Sequence, residues 1–301
     1  MRAEPSSVTD WEARGRIVAL PAGDVWVLDQ PATVDAGHDP VLVLHGFPTC
    51  SFDWRHVLPA LSLNRRVVLF DFPGFGLSDK PDQRYRIRRQ ADVAEALCAA
   101  LGLDRIALVT HDMGDSIGGE LLARDLDGDL GLEITRRVLA NGSIYLDLAR
   151  LTPGQLLLLD LPDACLDPRP AGAPPDDGAA MRAALAATFS PDSPPDPGEL
   201  AAQWDLIARD GGQRLLPRTI RYIEDRRAEE ARFTGAIERH PSPLAVVWGD
   251  QDPIAVVAMV DRLRERRPAV HVTVLDGVGH YPMIEDPARF AAATVGFLDA
   301  A

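Results

Sequence analysis

Residues 105–123 read RIALVTHDMGDSIGGELLA, and this stretch decides the fold. Ile106 to Val109 is an apolar, β-branched-rich run of the kind that makes a strand buried on both faces. The run breaks at Thr110-His111-Asp112-Met113-Gly114. Apolar residues then return at helical spacing through Ile117, Leu121 and Leu122. A strand that turns at once into a helix, with small residues two positions either side of a central one, is a nucleophile elbow: the small residues let the backbone pass close to itself and the central side chain is forced out at the helix N-terminus. The central residue is Asp112. An overlapping string, Gly114-Asp115-Ser116-Ile117-Gly118, also fits G-x-S-x-G, but Ser116 falls about one turn into the helix, where no turn would present its hydroxyl. By itself Asp112 could equally be a helix N-cap, so the rest of the chain must decide between these readings.

Working outward, core strands are predicted at Val41–Leu44, Arg66–Phe70, Arg137–Ala140, Leu244–Trp248 and Val270–Leu275, with an antiparallel pair opening the chain between Ile17 and Leu28. Helices are predicted over Phe52–Leu61, Arg88–Leu101, Leu215–Ile223, Ile254–Arg267 and Pro287–Leu298. This alternation predicts an α/β fold with a mostly parallel, doubly wound sheet. Between residues 161 and 200 the pattern lapses into nine prolines and short helical pieces. A loop-heavy insertion of this kind reads as a helical cap. The expected division is a first core part at 1–146, a cap at 147–235 and a second core part at 236–301.

The 301 residues, 46% of them hydrophobic, suffice for one large core plus an insertion, and the net charge of −14 without a basic stripe argues against nucleic acid as a partner. The three cysteines, Cys50, Cys98 and Cys165, have no C-x-x-C spacing. They read as small buried hydrophobes in a reducing, cytoplasmic setting rather than as a disulfide framework or zinc site. The N-terminus lacks an apolar signal region, and no stretch has the length of a membrane span. The loop Asp71-Phe72-Pro73-Gly74-Phe75-Gly76 lacks the third glycine of a dinucleotide fingerprint. No cofactor and no metal are expected.

Three chemistry-bearing residues follow successive core strands in the order Asp112, Asp252, His280, the chain order nucleophile, acid, histidine. HGFPTCSFDW, DFPGFGLSDKP, THDMG, WGDQDP and VGHYPMIEDP together resemble the epoxide-hydrolase and haloalkane-dehalogenase branch of the α/β-hydrolase superfamily, and look closest within it to the mesoderm-specific transcript-like proteins. The resemblance covers roughly residues 12–146 and 236–301; the cap diverges. It implies that Asp112 attacks an alkyl carbon to give a covalent ester, that His280 activates the water that breaks the ester, and that Asp252, placed just before Pro253, orients His280; Asp250 is the alternative acid. Backbone N–H groups of Phe47 and Met113 would hold the oxyanion. His45 would shape the HGFP loop and His111 would pack beside the elbow.

The leaving group separates the branch's activities. Epoxide opening uses cap tyrosines. Tyr222 matches one such placement and Tyr145 is the substitute for a second. Dehalogenation uses side-chain N–H donors, and the corresponding positions here are Phe47 and Met113; the arginines that fluoroacetate dehalogenases keep after the nucleophile are also missing. The expectation is an epoxide hydrolase acting with water on a small apolar substrate in a pocket lined by Phe47, Met113 and Tyr145, as a monomer or homodimer. The alternatives are a haloalkane dehalogenase, a serine esterase working through Ser116, and a non-catalytic scaffold on a retained fold.

Overall fold

The computed structural model describes residues 7–167 and 176–300. Among these, one eight-stranded sheet runs in the order β1-β2-β4-β3-β5-β6-β7-β8. Its strands are β1 (Arg16–Leu20), β2 (Gly23–Gln30), β3 (Val41–Leu44), β4 (Val67–Phe70), β5 (Arg105–His111), β6 (Glu133–Ala140), β7 (Leu244–Gly249) and β8 (His271–Leu275). β1 and β2 form the expected antiparallel pair, with Val18 opposite Val25, and β2 joins β4 antiparallel. Every other pairing is parallel. β3, β4 and β7 are buried along their whole length, because helices cover both faces and leave no polar side for an alternating pattern. The expected fold class is therefore the observed one.

The interior parallel strands end on the same edge, where open α/β sheets place their sites. The residues Phe47, Asp71, Asp112, Asn141, Asp252 and His280 all follow the carboxyl ends of strands on that edge. Three helices around the sheet match the sequence reading closely: Ile87–Ala100, Met113–Asp127 and Pro287–Leu298. Others do not. The span 52–61 holds only a 3₁₀ turn, Ser51–Trp54, and a single helical turn, Leu58–Leu61. Its apolar residues instead pack separately into the core. The helix expected from Ile254 begins at Ala258, because the Ile254 and Ala255 N–H groups are drawn to Asp252. Cys165 is half-buried rather than buried; Cys50 and Cys98 are in the core, and all three are free thiols.

Between β6 and β7 the chain forms the helices Pro153–Asp160, Ala179–Ala186, Pro197–Ala208, Leu216–Thr219 and Tyr222–Arg239. The helical stretch expected at 215–223 is broken after Thr219. The last helix kinks at Glu229 and then packs on the helix Met113–Asp127 so closely that a Cβ on Gly119 would lie 2.8 Å from the Phe233 carbonyl oxygen. Position 235 falls inside this helix, whose last turns belong to the core packing. The same helix is tied to the core by Arg232 on Glu120 (Nε–Oε2 2.6 Å).

Candidate active site

The elbow residue Asp112 has φ 49° and ψ −113°, outside the helical and extended regions. Such a conformation costs about 1–3 kcal/mol and persists only where its surroundings fix it. The surroundings are tight. A Cβ on Gly114 would meet the Leu44 carbonyl oxygen at 2.4 Å, and one on Gly46 would meet the Asp112 Cβ at 2.8 Å. Small residues at these positions are thus a steric requirement of the turn. Thr110 does something further: its hydroxyl donates to the buried Asp115 carboxylate, pinning the first turn of the helix to the end of β5.

Asp112 does not cap its helix, for its side chain makes no capping hydrogen bond. Its carboxylate turns instead toward the loop after β3, where Oδ2 accepts from the Phe47 N–H at 2.9 Å. One oxygen is therefore held by a backbone donor, at the start of a helix whose first N–H groups have no partner within the helix. Ser116 lies buried within the helix Met113–Asp127, about one turn past the elbow.

His280 is buried, and its Nδ1 lies 2.8 Å from Asp252 Oδ2. Asp252 is fully occupied by donors: Asn141 Nδ2 reaches Oδ2 at 2.8 Å, and Ile254 and Ala255 donate their N–H groups to Oδ1 at 2.7 and 3.0 Å. Asp250 has a different partner, the Gly277 N–H at 2.8 Å, and caps the loop before His280. The histidine thus selects Asp252. Burial by itself would lower the His280 pKa. The charge and hydrogen bond of Asp252 outweigh it, with help from Asp112 and Glu285, and push it up to about 9. The other two histidines here are held toward the neutral form. His45, lowered by burial, donates from Nδ1 to the Gly46 carbonyl (2.8 Å) and accepts the Phe72 N–H on Nε2 (3.0 Å), so it braces the HGFP loop as expected. His111 sits 4.9 Å from the His280 ring and is held down to about 4, chiefly by burial and then by the neighbouring His280.

A cavity of about 280 Å³ opens beside this centre. Phe47, His280 and Tyr281 line it on the core side. Leu158, Met181, Leu185, Trp204 and Leu216 line it from the helices between β6 and β7. Tyr222 stands behind Phe47, ring centroids 5.7 Å apart, and is buried. Its hydroxyl makes no hydrogen bond to the described residues. Burial, then the charge of Asp112, raises its pKa, so the phenol keeps its proton. The structure does not bring Tyr145 to the cavity. Its hydroxyl donates to Glu238 Oε1 at 2.9 Å while Arg262 covers its ring. The Met113 side chain is likewise in the core and not in the cavity wall, where substrate contact was expected of it. It is the first helical residue, and its side chain packs inward beneath the elbow.

Three residues escaped the sequence reading. Asn141, with φ 47°, positions Asp252; Asn tolerates such a backbone, and its place at the end of β6 was the available signal. Glu285 accepts N–H groups from Gly279, Tyr281 and Ser190 at 2.8–2.9 Å, which binds the histidine loop to the segment between β6 and β7. Tyr281 was one tyrosine among four, and nothing in its local sequence said that it would face the cavity.

The profile of the Alpha/beta hydrolase family covers residues 41–293. The chain belongs to the alpha/beta hydrolase family. This hydrolase is 38% identical over 293 residues, 97% of its own length and 98% of the other's, to the Mycobacterium tuberculosis protein named "Putative hydrolase LipZ". It is 32% identical to the mesoderm-specific transcript protein of Mus musculus, over 96% of this chain and 87% of that one. Among solved structures, the enol-lactonase from Burkholderia xenovorans LB400 superposes with a TM-score of 0.74 at 19% identity, covering 95% of the hydrolase and 100% of the lactonase. At that identity the likeness is one of fold.

Proposed function

We propose that this hydrolase opens an apolar epoxide to a diol through a covalent ester on Asp112. The observation that carries this reading is the Phe47 N–H held 2.9 Å from Asp112 Oδ2. A backbone donor already on one carboxylate oxygen is the donor that the ester carbonyl needs when it becomes an oxyanion. The second oxygen attacks carbon. The ring C–O bond breaks as the new C–O bond forms, and its electron pair stays on the leaving oxygen, which takes a proton from the Tyr222 hydroxyl. Water then adds to the ester carbon of Asp112, with His280 taking one of its protons and Asp252 stabilising the resulting cation; the adduct collapses with cleavage of its bond to the alkyl oxygen, the diol leaves with the other water proton, and the proton on His280 returns to Tyr222. Met113 N–H completes the oxyanion site from the helix start.

Electrostatics supports the order of these steps. Asp112 is one of the charges that raise the His280 pKa. Esterification removes that charge, so the pKa of His280 falls when a base is required. The region 147–235 serves as the cap, closing an apolar cavity over the ester and excluding competing water. The wall of Leu, Met and Trp side chains favours a neutral, apolar substrate.

The test is a panel of aryl and alkyl epoxides, bromoalkanes and short esters, with mass spectrometry of the Asp112 peptide during turnover and ¹⁸O-labelled water over many cycles. Diol formation with label entering Asp112 is the expected result. Halide release without epoxide turnover, or a serine-directed phosphonate that inactivates by modifying Ser116, would overturn the reading.

A further inference from the structure

Arg226 is 2% exposed, yet among the described residues its guanidinium makes no hydrogen bond and no ion pair, and Nε and Nη1 are buried without a partner. Buried arginines are ordinarily paired. The other buried arginines of this chain follow that rule. Arg137 donates to the carbonyls of Ile237, His240 and Ser242, and Arg221 to those of Pro217, Leu159 and Leu161. Arg55 meets Glu199 and Arg65 meets Asp299. What Arg226 meets instead is a ring. Its Cζ stands over the Tyr222 ring, 5.3 Å from the centroid. The two residues are four apart on the helix Tyr222–Arg239, so the helix itself sets one over the other.

A guanidinium keeps its charge throughout the working pH range, and an unpaired charge in the interior is costly. Asp115 also feels this cation, but burial holds its carboxyl toward the neutral form, against the Thr110 hydrogen bond. Tyr222 stands under opposed influences. Burial and then the Asp112 charge resist loss of its proton, and Arg226 favours it. The balance shifts during the reaction. Attack on carbon turns the Asp112 carboxylate into a neutral ester. Its charge passes to the ring oxygen as the C–O bond breaks, and on to Tyr222 when the alkoxide takes the phenol proton. The phenolate then lies beneath the guanidinium, with its charge spread into the ring that Arg226 covers.

Resting on the epoxide reading, we propose that Arg226 is a positioning residue that acts through Tyr222, as the fixed countercharge for the phenolate formed when the epoxide ring opens. Arg226 stands outside the cavity wall. Asp112, Tyr222 and Arg226 together carry the same net charge before and after alkylation. The phenolate regains its proton from His280 once the ester is hydrolysed, so Arg226 ends each cycle as it began.

The first experiment needs no substrate. Trifluorotyrosine, a more acidic phenol, replaces Tyr222 in an Asp112→Asn protein, where the neutral amide stands for the ester, and phenolate absorbance is followed against pH. Adding Arg226→Met should raise the pKa of that phenol by about one unit, a tenfold loss of acidity. A shift of less than about threefold overturns the proposal. Methionine is chosen because an apolar side chain in place of a buried charge is often tolerated; Arg226→Gln serves in its place if that protein does not fold. The second experiment is single-turnover alkylation of Asp112 by an epoxide, followed by the mass of the adduct. Arg226→Met should slow alkylation about tenfold or more, leave breakdown of the adduct unchanged, and add no further loss in a Tyr222→Phe protein. An equal loss in both steps, or the same loss without the Tyr222 hydroxyl, would show a structural role and overturn the proposal. Absence of any Asp112 adduct in the wild type would instead defeat the epoxide reading, and the phenol titration then decides the role of Arg226 by itself.

Discussion

The two sides of the cavity are built by different means. On the nucleophile side, Asp112, Phe47, Asp252 and His280 are fixed by turns at strand ends, and each is tied down by backbone donors or by one short side-chain contact. On the side proposed to serve the leaving group, Tyr222 is held by the first turn of a helix from the inserted segment and Tyr281 by ring packing. In the proposed reaction the first side sets the reaction type and the second sets which leaving group is served. Substitutions on the nucleophile side should therefore abolish chemistry, and those opposite should select among substrates.

The largest effect expected is that of Asp112→Ala, which removes the attacking atom. Turnover should fall by roughly 10⁴-fold or more, the scale on which removing a covalent nucleophile acts. Ser116→Ala should retain most activity, and a reversed ranking in steady-state assays would break the comparison at its root. Next comes His280→Gln, which should still form the ester but hydrolyse it roughly 10²–10⁴-fold more slowly. A burst followed by a stall, with the adduct persisting in the mass spectrum, is the expected trace; sustained multiple turnover contradicts it. Tyr222→Phe should slow ring opening by about 10²-fold while leaving hydrolysis of a preformed ester unchanged. Stopped-flow separation of the two phases checks this, and an equal loss in both would show that Tyr222 supports the fold and not the leaving group.

A smaller effect concerns stability and pH. The folded pKa of His280, about 9, exceeds its ordinary value of 6.5, so the fold favours the protonated ring. That contribution is fully present below pH 6.5 and is lost as pH rises through 9. Urea midpoints should fall over that window, and the fall should shrink in Asp252→Asn, which removes the charge that holds the proton. Buried, neutral Asp53 adds a loss of the same sign up to about pH 8, which the Asp252 variant leaves in place. The smallest effect sharpens the contrast of core and cap. Leu42→Ala, in a wholly buried strand, should cost about 2–5 kcal/mol. Leu157→Ala, 61% exposed on the helix Pro153–Asp160 yet lining the cavity, should change stability by less than about 0.5 kcal/mol and show itself in KM for long apolar substrates.

Sequence alone sufficed wherever local pattern and local structure coincide. A buried parallel strand must be an apolar run, so Val41–Leu44 and Leu244–Gly249 could be read almost to the residue. An elbow requires small neighbours around its apex, so Asp112 stood out before its strained backbone was seen. Asp252 was legible because it follows such a strand, and His280 because the Gly-Val-Gly before it follows the last strand. Partners brought from distant segments were settled by folding. Met113 and Tyr145 had the right residue types near the right strand ends. The packing turned one inward and gave the other to Glu238. Tyr281 carries no local signal of its place, since its ring meets Phe189 and the cavity only after segments 92 residues apart have closed together. The helix Tyr222–Arg239 shows the same limit, because its kink at Glu229 is not visible in the amphipathic pattern that runs through it. Spacing along a chain specifies which face of an element is apolar; which polar group that face meets depends on closing the whole sheet and laying the cap across its edge.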